Sequence, residues 1–389
     1  MQLGMTILLV TAMAGALPER SGEEIHVGNA GELQQALLKA DSQDTILLAD
    51  GVYKLESSLR IEKKDNLTIR GASGDPEKVL LMGGGWEGGR PKDVVVIRGS
   101  GDIAIAYLTV TEARSYGIKI EGVRGLKNPH DINIENCRFI DIGTRAIKGT
   151  ATQDRKHMER GSVRNCYFEN TRTPDPDWLF NGDYVSAIDM MYLDHWTFAD
   201  NVFKNIKGAN GGGRGAIFVW NQSRSVLVER NVFINCDRSV AFGNPSEPTN
   251  YVQGTLHNYD GIIRNNAIVV GASKGIELVW LDNVKVYNNT VYCPNPRRRA
   301  IHYFQKINRL HIANNLVNGR LEGEGDVVLE NNVVGPLDGY FVNPEAGDLH
   351  LTEAATLALK KGIALPLVQD DIDGEGRADP PDVGADERK

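Results

Sequence analysis

The chain has 389 residues, of which 41% are hydrophobic, so it is long enough to bury an extended core. Its formal net charge of -8 excludes a global basic field, and no nucleic-acid partner is predicted. The 42 glycines favour a fold that turns often, while the four cysteines have neither zinc-site spacing nor the density of a disulfide scaffold.

The first 16 residues have the composition of a secretory signal peptide. Residues 5–17 are apolar and rich in small side chains, and Ala14-Gly15-Ala16 forms an A-x-A cleavage site. The segment is too short to span a bilayer, and no other stretch of the chain is a candidate for doing so. The sequence therefore predicts a secreted or periplasmic protein with no membrane partner.

A short amphipathic helix follows, over about residues 30–39. Leu33, Ala36, Leu37 and Ala40 form its apolar face, and the strand TILLAD comes next. Such a helix is expected to cover the open end of a stack of strands, because a terminal coil has unpaired edges.

The body of the chain repeats one phrase, in which Asn or Asn-Asn stands between two apolar-alternating runs, as in LVERNVF and KVYNNTV. The Asn residues of the repeat are Asn136, Asn165, Asn201, Asn231, Asn266, Asn289, Asn315 and Asn332. Repeats of this length with β-branched alternation predict a solenoid of stacked strands, with the asparagines hydrogen-bonded along the axis. Cys137 and Cys166 each follow a repeat Asn, so they should stack as buried thiols, with a disulfide as the alternative.

One elongated domain over residues 25–345 is predicted, followed by an irregular cap over residues 346–389. The final phrase, DIDGEGRADPPDVGADE, is rich in Asp, Gly and Pro. Its residues Asp370, Asp371 and Asp373 could bind Ca²⁺, but a turn-rich cap is the preferred interpretation.

These features resemble the right-handed parallel β-helix proteins of the pectate-lyase-like superfamily. The phrase GELQQALLKADSQDTILLADGVYKL with NLTIRGASGDPEKVLLMGGG is similar to the entry of the chondroitinase-B and alginate-lyase type of β-helix, and the final phrase resembles the closing signature of many secreted bacterial β-helix proteins. The resemblance implies an all-β fold, a right-handed parallel β-helix. The superfamily holds several chemistries, and the alginate-lyase RHG phrase is missing, so catalytic residues do not carry over.

One strand of each coil places an Ile or Val after a small residue, and these anchors should point inward. The anchors are Ile118, Ile147, Ile188, Ile217, Val240, Ile276 and Ile301. The residues after them should form an outward column of Lys119, Lys148, Asp189, Phe218, Ala241, Glu277 and His302. Two residues further along their strands lie the exposed aromatics Trp220 and Phe304. A basic flank at the turn before the strand comprises Arg145, Arg238, Lys274 and Arg299.

This face predicts an acidic-polysaccharide substrate, since aromatics stack on sugar rings and arginines bind carboxylates. In the preferred reaction, β-elimination, Lys148 is the base, Arg145 and Arg238 hold the carboxylate, and Asp189 is a Ca²⁺ ligand or an acid. Glu277 and His302 could form an acid/base pair. The predicted substrate-binding residues are Lys119, Trp220, Phe218, Asn221, His195, Lys274, Arg299 and Phe304. The alternative for Lys148 is a surface lysine paired with Asp189.

Two other functions remain open at this point. A glycoside hydrolase would use Asp189 with Glu277, or with Asp183 or Asp194 from a loop, because Asp189 and Glu277 are three coils apart, about 14 Å. A monomeric glycan-binding protein would use the aromatic column without catalysis. The sequence decides neither the sugar nor a Ca²⁺ requirement, and it leaves open whether the basic flank shares a groove with Lys148.

Overall fold

The computed structural model describes residues 17–150, 156–249 and 254–389. The predicted signal peptide, residues 1–16, lies outside the described residues. No helix in these ranges is long and apolar enough to cross a membrane.

The described chain winds into a stack of coils in which each turn contributes one strand to each of three parallel sheets. Two of the strands are long and bend from one sheet into the next: Val232–Phe242 and Ala267–Asp282. The first sheet, which carries the predicted site, contains Leu59–Glu62, Asp93–Arg98, Tyr116–Glu121, Arg145–Thr150, Ser186–Met191, Ile217–Trp220, parts of the two long strands, Arg299–Asn308 and Arg320–Gly323.

The second and third sheets complete each coil and are also parallel throughout. The second contains Glu24–Val27, Thr45–Leu48, Asp65–Gly71, Gly101–Ala106, His130–Glu135, Met158–Arg164, Leu193–Ala199, Leu227–Glu229, Ile262–Arg264, Lys285–Tyr287, Leu310–Ala313 and Val327–Glu330, with the short pieces Ser223–Arg224 and Asn258–Tyr259 beside it. The third contains Gly51–Lys54, Val79–Gly85, Thr109–Ala113, Arg138–Ile142, Tyr167–Glu169, Val202–Lys204, the starts of the two long strands, Thr290–Tyr292, Leu316–Val317 and Val333–Val334.

The N-terminal helix is Ala30–Lys39, with the boundaries that the sequence predicts. It begins where the Asn29 side chain accepts a hydrogen bond from the backbone N–H of Glu32, and the Glu32 carboxylate accepts one from Gly28 N in return. Leu33 and Leu37 pack into the same core as the first coils. This burial fixes the helix over the end of the stack.

The asparagine ladder is confirmed, but its first two members were placed one residue too early. Continuous side-chain hydrogen bonds of 2.8–3.0 Å join Asn201, Asn231, Asn266, Asn289, Asn315 and Asn332. Cys137 and Cys166 continue this column, since Cys166 N donates to Asn201 Oδ1 and Cys137 N to Cys166 Sγ. Both thiols are free and buried, so the preferred prediction was right.

Asn136 and Asn165 stand instead in the column just before the ladder. Every residue of that column has a left-handed backbone with φ between 48° and 60°, which Asn adopts more readily than most residues. The later members of this outer column, Asn265, Asn288, Asn314 and Asn331, donate hydrogen bonds to backbone carbonyls of the C-terminal segment.

The C-terminal segment is irregular, as predicted, and runs back along the side of the coils. After the hairpin Phe341–Asn343 and Asp348–Leu351, which encloses the 3₁₀ turn Pro344–Ala346, it packs a separate apolar cluster against the third sheet. The C-terminal segment therefore covers a flank of the solenoid. It does not cover the end of the stack, because Leu329 of the last coil, which is paired with the buried Ile312, is half exposed.

Replacing Asn231 by Ala should lower the free energy of unfolding by at least about 2 kcal/mol, because it leaves several buried backbone and side-chain partners unsatisfied. The measurement is the midpoint of urea unfolding. The matched control is Asn210→Ala, which removes an exposed hydrogen bond to Asn181 O and should change stability by less than about 0.5 kcal/mol. Equal effects of the two substitutions would contradict a stabilising ladder.

Candidate functional site

The outward column of the first sheet has the register that the sequence predicts. Direct pairing runs through Lys119, Lys148, Asp189, Phe218, Ala241, Glu277 and His302 on successive coils. All seven anchors are buried in the main core. Residues up to 183 positions apart in sequence therefore share one strip of surface.

The basic flank faces the same groove as this column. The small residue before each anchor is also buried inside, as Ala146 and Ala300 are, so two successive side chains point inward and the one before them returns outward. No larger side chain fits at Gly117 or Gly275, where a Cβ would lie about 2.6 and 2.5 Å from the carbonyl oxygen of the next coil. This local break in alternation answers the question that the sequence left open.

The first ion cluster, formed by Arg145, Lys148 and Asp189, is closed. Asp189 accepts hydrogen bonds from Arg145 Nε at 2.6 Å and Trp220 Nε1 at 3.0 Å, and Lys148 Nζ lies 2.9 Å from it. Arg145, Lys148 and Asp189 are only 0%, 5% and 1% exposed, and the Arg145 guanidinium also lies 3.6 Å from the ring centre of Tyr184. The charges are held together in the interior of the groove wall.

The electrostatics of this cluster follow from burial and pairing. Burial by itself would raise the pKa of Asp189, but Lys148 and Arg145 outweigh it and lower that pKa to about 2. Burial lowers the pKa of Lys148, an effect that Asp189 opposes. The pair is thus a buried, mutually compensated ion pair, as the alternative interpretation of Lys148 proposed, except that this lysine is not on the surface.

Two predicted roles do not fit this geometry. Asp189 is unsuited to bind Ca²⁺, since its oxygens already accept from two cations and an indole N–H, and those cations would repel the ion. Lys148 is unsuited to take a proton from a substrate, because its ammonium is enclosed and bound to Asp189. Both residues hold the groove wall in place.

The second ion cluster, formed by Arg238, Lys274, Glu277 and His302, is more open. Glu277 is buried and pairs with Arg238 Nη1 at 2.9 Å and with Lys274. His302 is half-buried, and burial followed by the charges of Lys274 and Arg299 lowers its pKa to about 4, so the imidazole is neutral at pH 7. The buried atoms His302 Nδ1 and Arg238 Nε have no hydrogen-bond partner among the described residues.

A charge pattern links these clusters, since four carboxylates of the groove each pair with two cations, whereas Asp93 of the same sheet forms no ion pair among the described residues. The four sets are Glu121 with Arg98 and Lys119, Asp189 with Arg145 and Lys148, Glu277 with Arg238 and Lys274, and Glu322 with Arg299 and Arg320. The groove is therefore locally positive on a chain whose net charge is -8.

Arg214 lies between the two clusters and was missed from the sequence. Burial and the neighbouring Arg238 and Arg145 lower its pKa, and its guanidinium lies 5.2 Å from the ring centre of Phe180. No carboxylate forms an ion pair with Arg214 within the described ranges. The sequence could have indicated Arg214, because it immediately precedes Gly215 in GRGAIF, and several other coils have a charged residue at the turn before this strand.

The aromatic residues are less exposed than predicted. Phe218 is 3% exposed and stacks on Trp220 with ring centres 5.3 Å apart, so it supports Trp220 from below and is not itself a sugar platform. Trp220 and Phe304 are half-buried. Phe304 stacks on His302 at 4.5 Å and lies beneath the Lys274 ammonium.

Two further predicted contacts are wrong. Asn221 is buried, where its side chain accepts from Thr249 N and donates to Met191 Sδ, so it holds a turn. His195 lies in the second sheet, bound to Asp194, which also pairs with Arg224. Asp194 is likewise remote from the groove, and Asp183 accepts hydrogen bonds from the 208–213 loop.

Replacing Asp189 by Asn should destabilise the protein by about 3–5 kcal/mol, because it leaves two buried cations uncompensated. Chemical unfolding at pH 7 measures this. Glu322→Gln, which breaks solvent-exposed ion pairs with Arg299 and Arg320, is the control and should change stability far less than Asp189→Asn does. A near-neutral Asp189→Asn variant would contradict the closed cluster.

The imidazole of His302 should titrate near pH 4 when followed by NMR. Removing a neighbouring cation with Lys274→Ala should raise that pKa toward 6.5, because Lys274 disfavours the imidazolium. Lys306→Ala serves as the control, since its ammonium lies over Trp280. A His302 that titrates near 6.5 in the unmodified protein would contradict this environment.

Comparison with known proteins agrees with the fold. The family model described as the right handed beta helix region matches residues 93–317, more than half of the chain. No curated protein sequence matches. Similar solved structures are pectate lyase Pel9A (TM-score 0.61, 13% identity, 95% of this chain and 98% of that one) and an alginate lyase from Paenibacillus sp. str. FPU-7 (TM-score 0.52, 18% identity, 80% and 99%).

A third similar structure is the tailspike protein of E. coli bacteriophage HK620 in complex with a pentasaccharide (TM-score 0.53, 16% identity, 82% of this chain and 60% of that one). At these identities the likeness concerns the fold. The three parallel sheets, the ladder and the family match agree, and the chain belongs to the right-handed β-helix family.

Proposed function

We propose that this protein is a polysaccharide lyase that binds an acidic, uronic-acid-containing glycan along the groove of the first sheet. The observation that carries the proposal is the pairing of two cations with each of four groove carboxylates, together with Arg214, which forms no ion pair with a carboxylate in the described ranges. An excess of cations that are already oriented suits a ligand with a carboxylate on successive sugars. The lyases among the structural neighbours support the same class.

His302 is the proposed base. It is neutral at pH 7, it is half exposed to the groove, and its Nε2 is the ring nitrogen open to a ligand, since Nδ1 is buried. In β-elimination it takes the C5 proton next to the carboxylate. The electron pair forms the C4=C5 double bond and the C4–O4 bond breaks, with the leaving oxygen protonated from solvent.

Cations of the groove make that proton acidic enough to remove. Lys274 and Arg299 flank His302 by register, and Arg238 lies one coil from Lys274. They would neutralise the substrate carboxylate, so no Ca²⁺ at Asp189 is required in this proposal. The Lys148–Asp189–Arg145 cluster keeps the groove wall rigid.

Arg214 and Phe180 form a further part of the proposed binding surface. Phe180 is 55% exposed, and the Arg214 guanidinium packs on one side of its ring. Half-buried Trp220 stands one coil from the Arg238 flank in the same groove. Aromatic faces beside an arginine that forms no ion pair among the described residues suit successive acidic sugars, each through stacking and one ion pair.

A glycan-binding protein without catalysis is the second candidate. It is favoured by the closed state of Lys148 and by the tailspike structure, whose title names a bound pentasaccharide. A hydrolase is disfavoured, because Asp189 and Glu277 are both buried, ion-paired and three coils apart.

The test is to incubate the mature protein with a panel of polyuronates and glycosaminoglycans and to follow the absorbance at ~235 nm. The double bond formed after proton abstraction absorbs at this wavelength. A rise is expected on at least one substrate. His302→Ala should lower kcat about 100-fold or more, whereas Arg214→Ala should mainly raise KM.

Arg224→Ala, a substitution in the second sheet, is the control and should leave activity unchanged. Glycan binding without a rise in absorbance would favour the non-catalytic alternative. New reducing ends without a rise in absorbance would favour a hydrolase. The proposed base is wrong if His302→Ala keeps full activity. We also propose that residues 1–16 direct the protein out of the cytoplasm. We further propose that the protein acts as a monomer.

A further inference from the structure

A compact group of ligand-type side chains lies in the C-terminal segment, away from the groove. His350 is in the hairpin strand Asp348–Leu351, while Asp373 and Asp386 come from the final phrase of the chain. One ligand atom from each of the three lies within 4.8 Å of the others. The fold thus brings together an imidazole and two carboxylates that are up to 36 residues apart.

The imidazole of His350 is held in a fixed orientation. Its Nδ1 lies 2.6 Å from Asp348 Oδ1, and its Nε2 points at Asp373 Oδ2, 2.9 Å away. A histidine whose far nitrogen donates to a carboxylate is the usual arrangement behind a metal-ligating imidazole, because the contact fixes the ring and raises its basicity. Asp348 supplies that contact here.

Asp386 contributes a buried carboxylate to this group. It is only 6% exposed, and its Oδ2 accepts one hydrogen bond, from Leu351 N at 2.7 Å. One of its oxygens lies within 4.8 Å of the ligand atoms of His350 and Asp373. A buried carboxylate is costly unless a cation or hydrogen bonds compensate it, so a bound ion would stabilise Asp386 here.

The group also contains more carboxylates than cations, although Arg377 and Lys389 act on Asp386 and Asp373 from farther away. Asp348 and Asp373 pair only with His350 among the described residues, and Asp386 pairs with no cation there. One imidazolium therefore faces three carboxylates. A divalent ion in place of the imidazole proton would balance this charge.

We propose that His350 Nε2, Asp373 and Asp386 bind one Zn²⁺ ion, with Asp348 orienting the imidazole. One nitrogen and two carboxylate oxygens are ligands that Zn²⁺ accepts, whereas Ca²⁺ prefers oxygen ligands alone. The ion would tie the hairpin to the end of the chain and so fasten the C-terminal segment along the coils. The site is separate from the glycan groove and does not depend on the proposed lyase activity.

The test uses untagged full-length protein after treatment with EDTA. Titration with zinc chloride alone should give one ion per chain by calorimetry, and ~100 µM Zn²⁺ should raise Tm by about 3 °C or more. Calcium chloride at the same concentration should have a smaller effect. Cobalt chloride should give the visible absorption bands of a nitrogen- and oxygen-ligated ion.

Asp373→Asn and His350→Gln should each abolish the one-to-one binding and the rise in Tm. Asp373 is largely solvated, so this variant is expected to fold. The matched control is Asp338→Asn, an exposed aspartate in the same segment that should keep both effects. The proposal is overturned if the unmodified protein does not bind Zn²⁺, if both variants still bind it, or if Ca²⁺ binds equally well without His350.

Discussion

In-register stacking of parallel strands is the constraint on which the remaining structure depends. The buried Ile and Val anchors and the asparagine ladder both require that each coil sits directly on the one before it, about 4.8 Å away. A slip by one residue would turn the anchors outward and break the ladder. Because the register holds, Lys148 and Asp189, 41 residues apart in sequence, become direct neighbours.

The same register explains how an acidic chain builds a positive groove. A small residue before each anchor lets two side chains in succession point inward, which returns the basic flank to the outer face. Stacking then brings Arg145 and Lys148 to Asp189 on the next coil and Arg238 to Glu277, which also pairs with Lys274 of its own strand. The charge of the groove thus depends on which residues occupy equivalent positions on successive coils, and the net charge of the chain does not predict it.

The two ends of the groove differ in what their ions can do. Around Asp189 the ion pairs are buried and the carboxylate accepts from all sides, so they stabilise a shape, although Arg145 Nη2 has no hydrogen-bond partner among the described residues. Around His302 they leave unmatched polar atoms next to a neutral imidazole, which is the condition under which a bound molecule gains most. The C-terminal segment meets the solenoid through the outer asparagine column, so one repeat supplies both the internal ladder and the attachment of the tail.

Local patterns in the sequence were enough to predict the solenoid, the N-terminal helix, the column register and the stacked thiols, because each of these features depends on the spacing of residues within one helix or one coil. It misplaced Asn136 and Asn165 by one residue, since their phrases contain Asn at the turn but Cys in the ladder. Only the tertiary structure decided the burial of Lys148 and Phe218, the removal of His195 and Asn221 from the groove, and the position of Arg214. These features depend on which side chains from other coils and from insertions pack over each residue. The local sequence pattern cannot predict these contacts, because the contacting residues are distant in sequence.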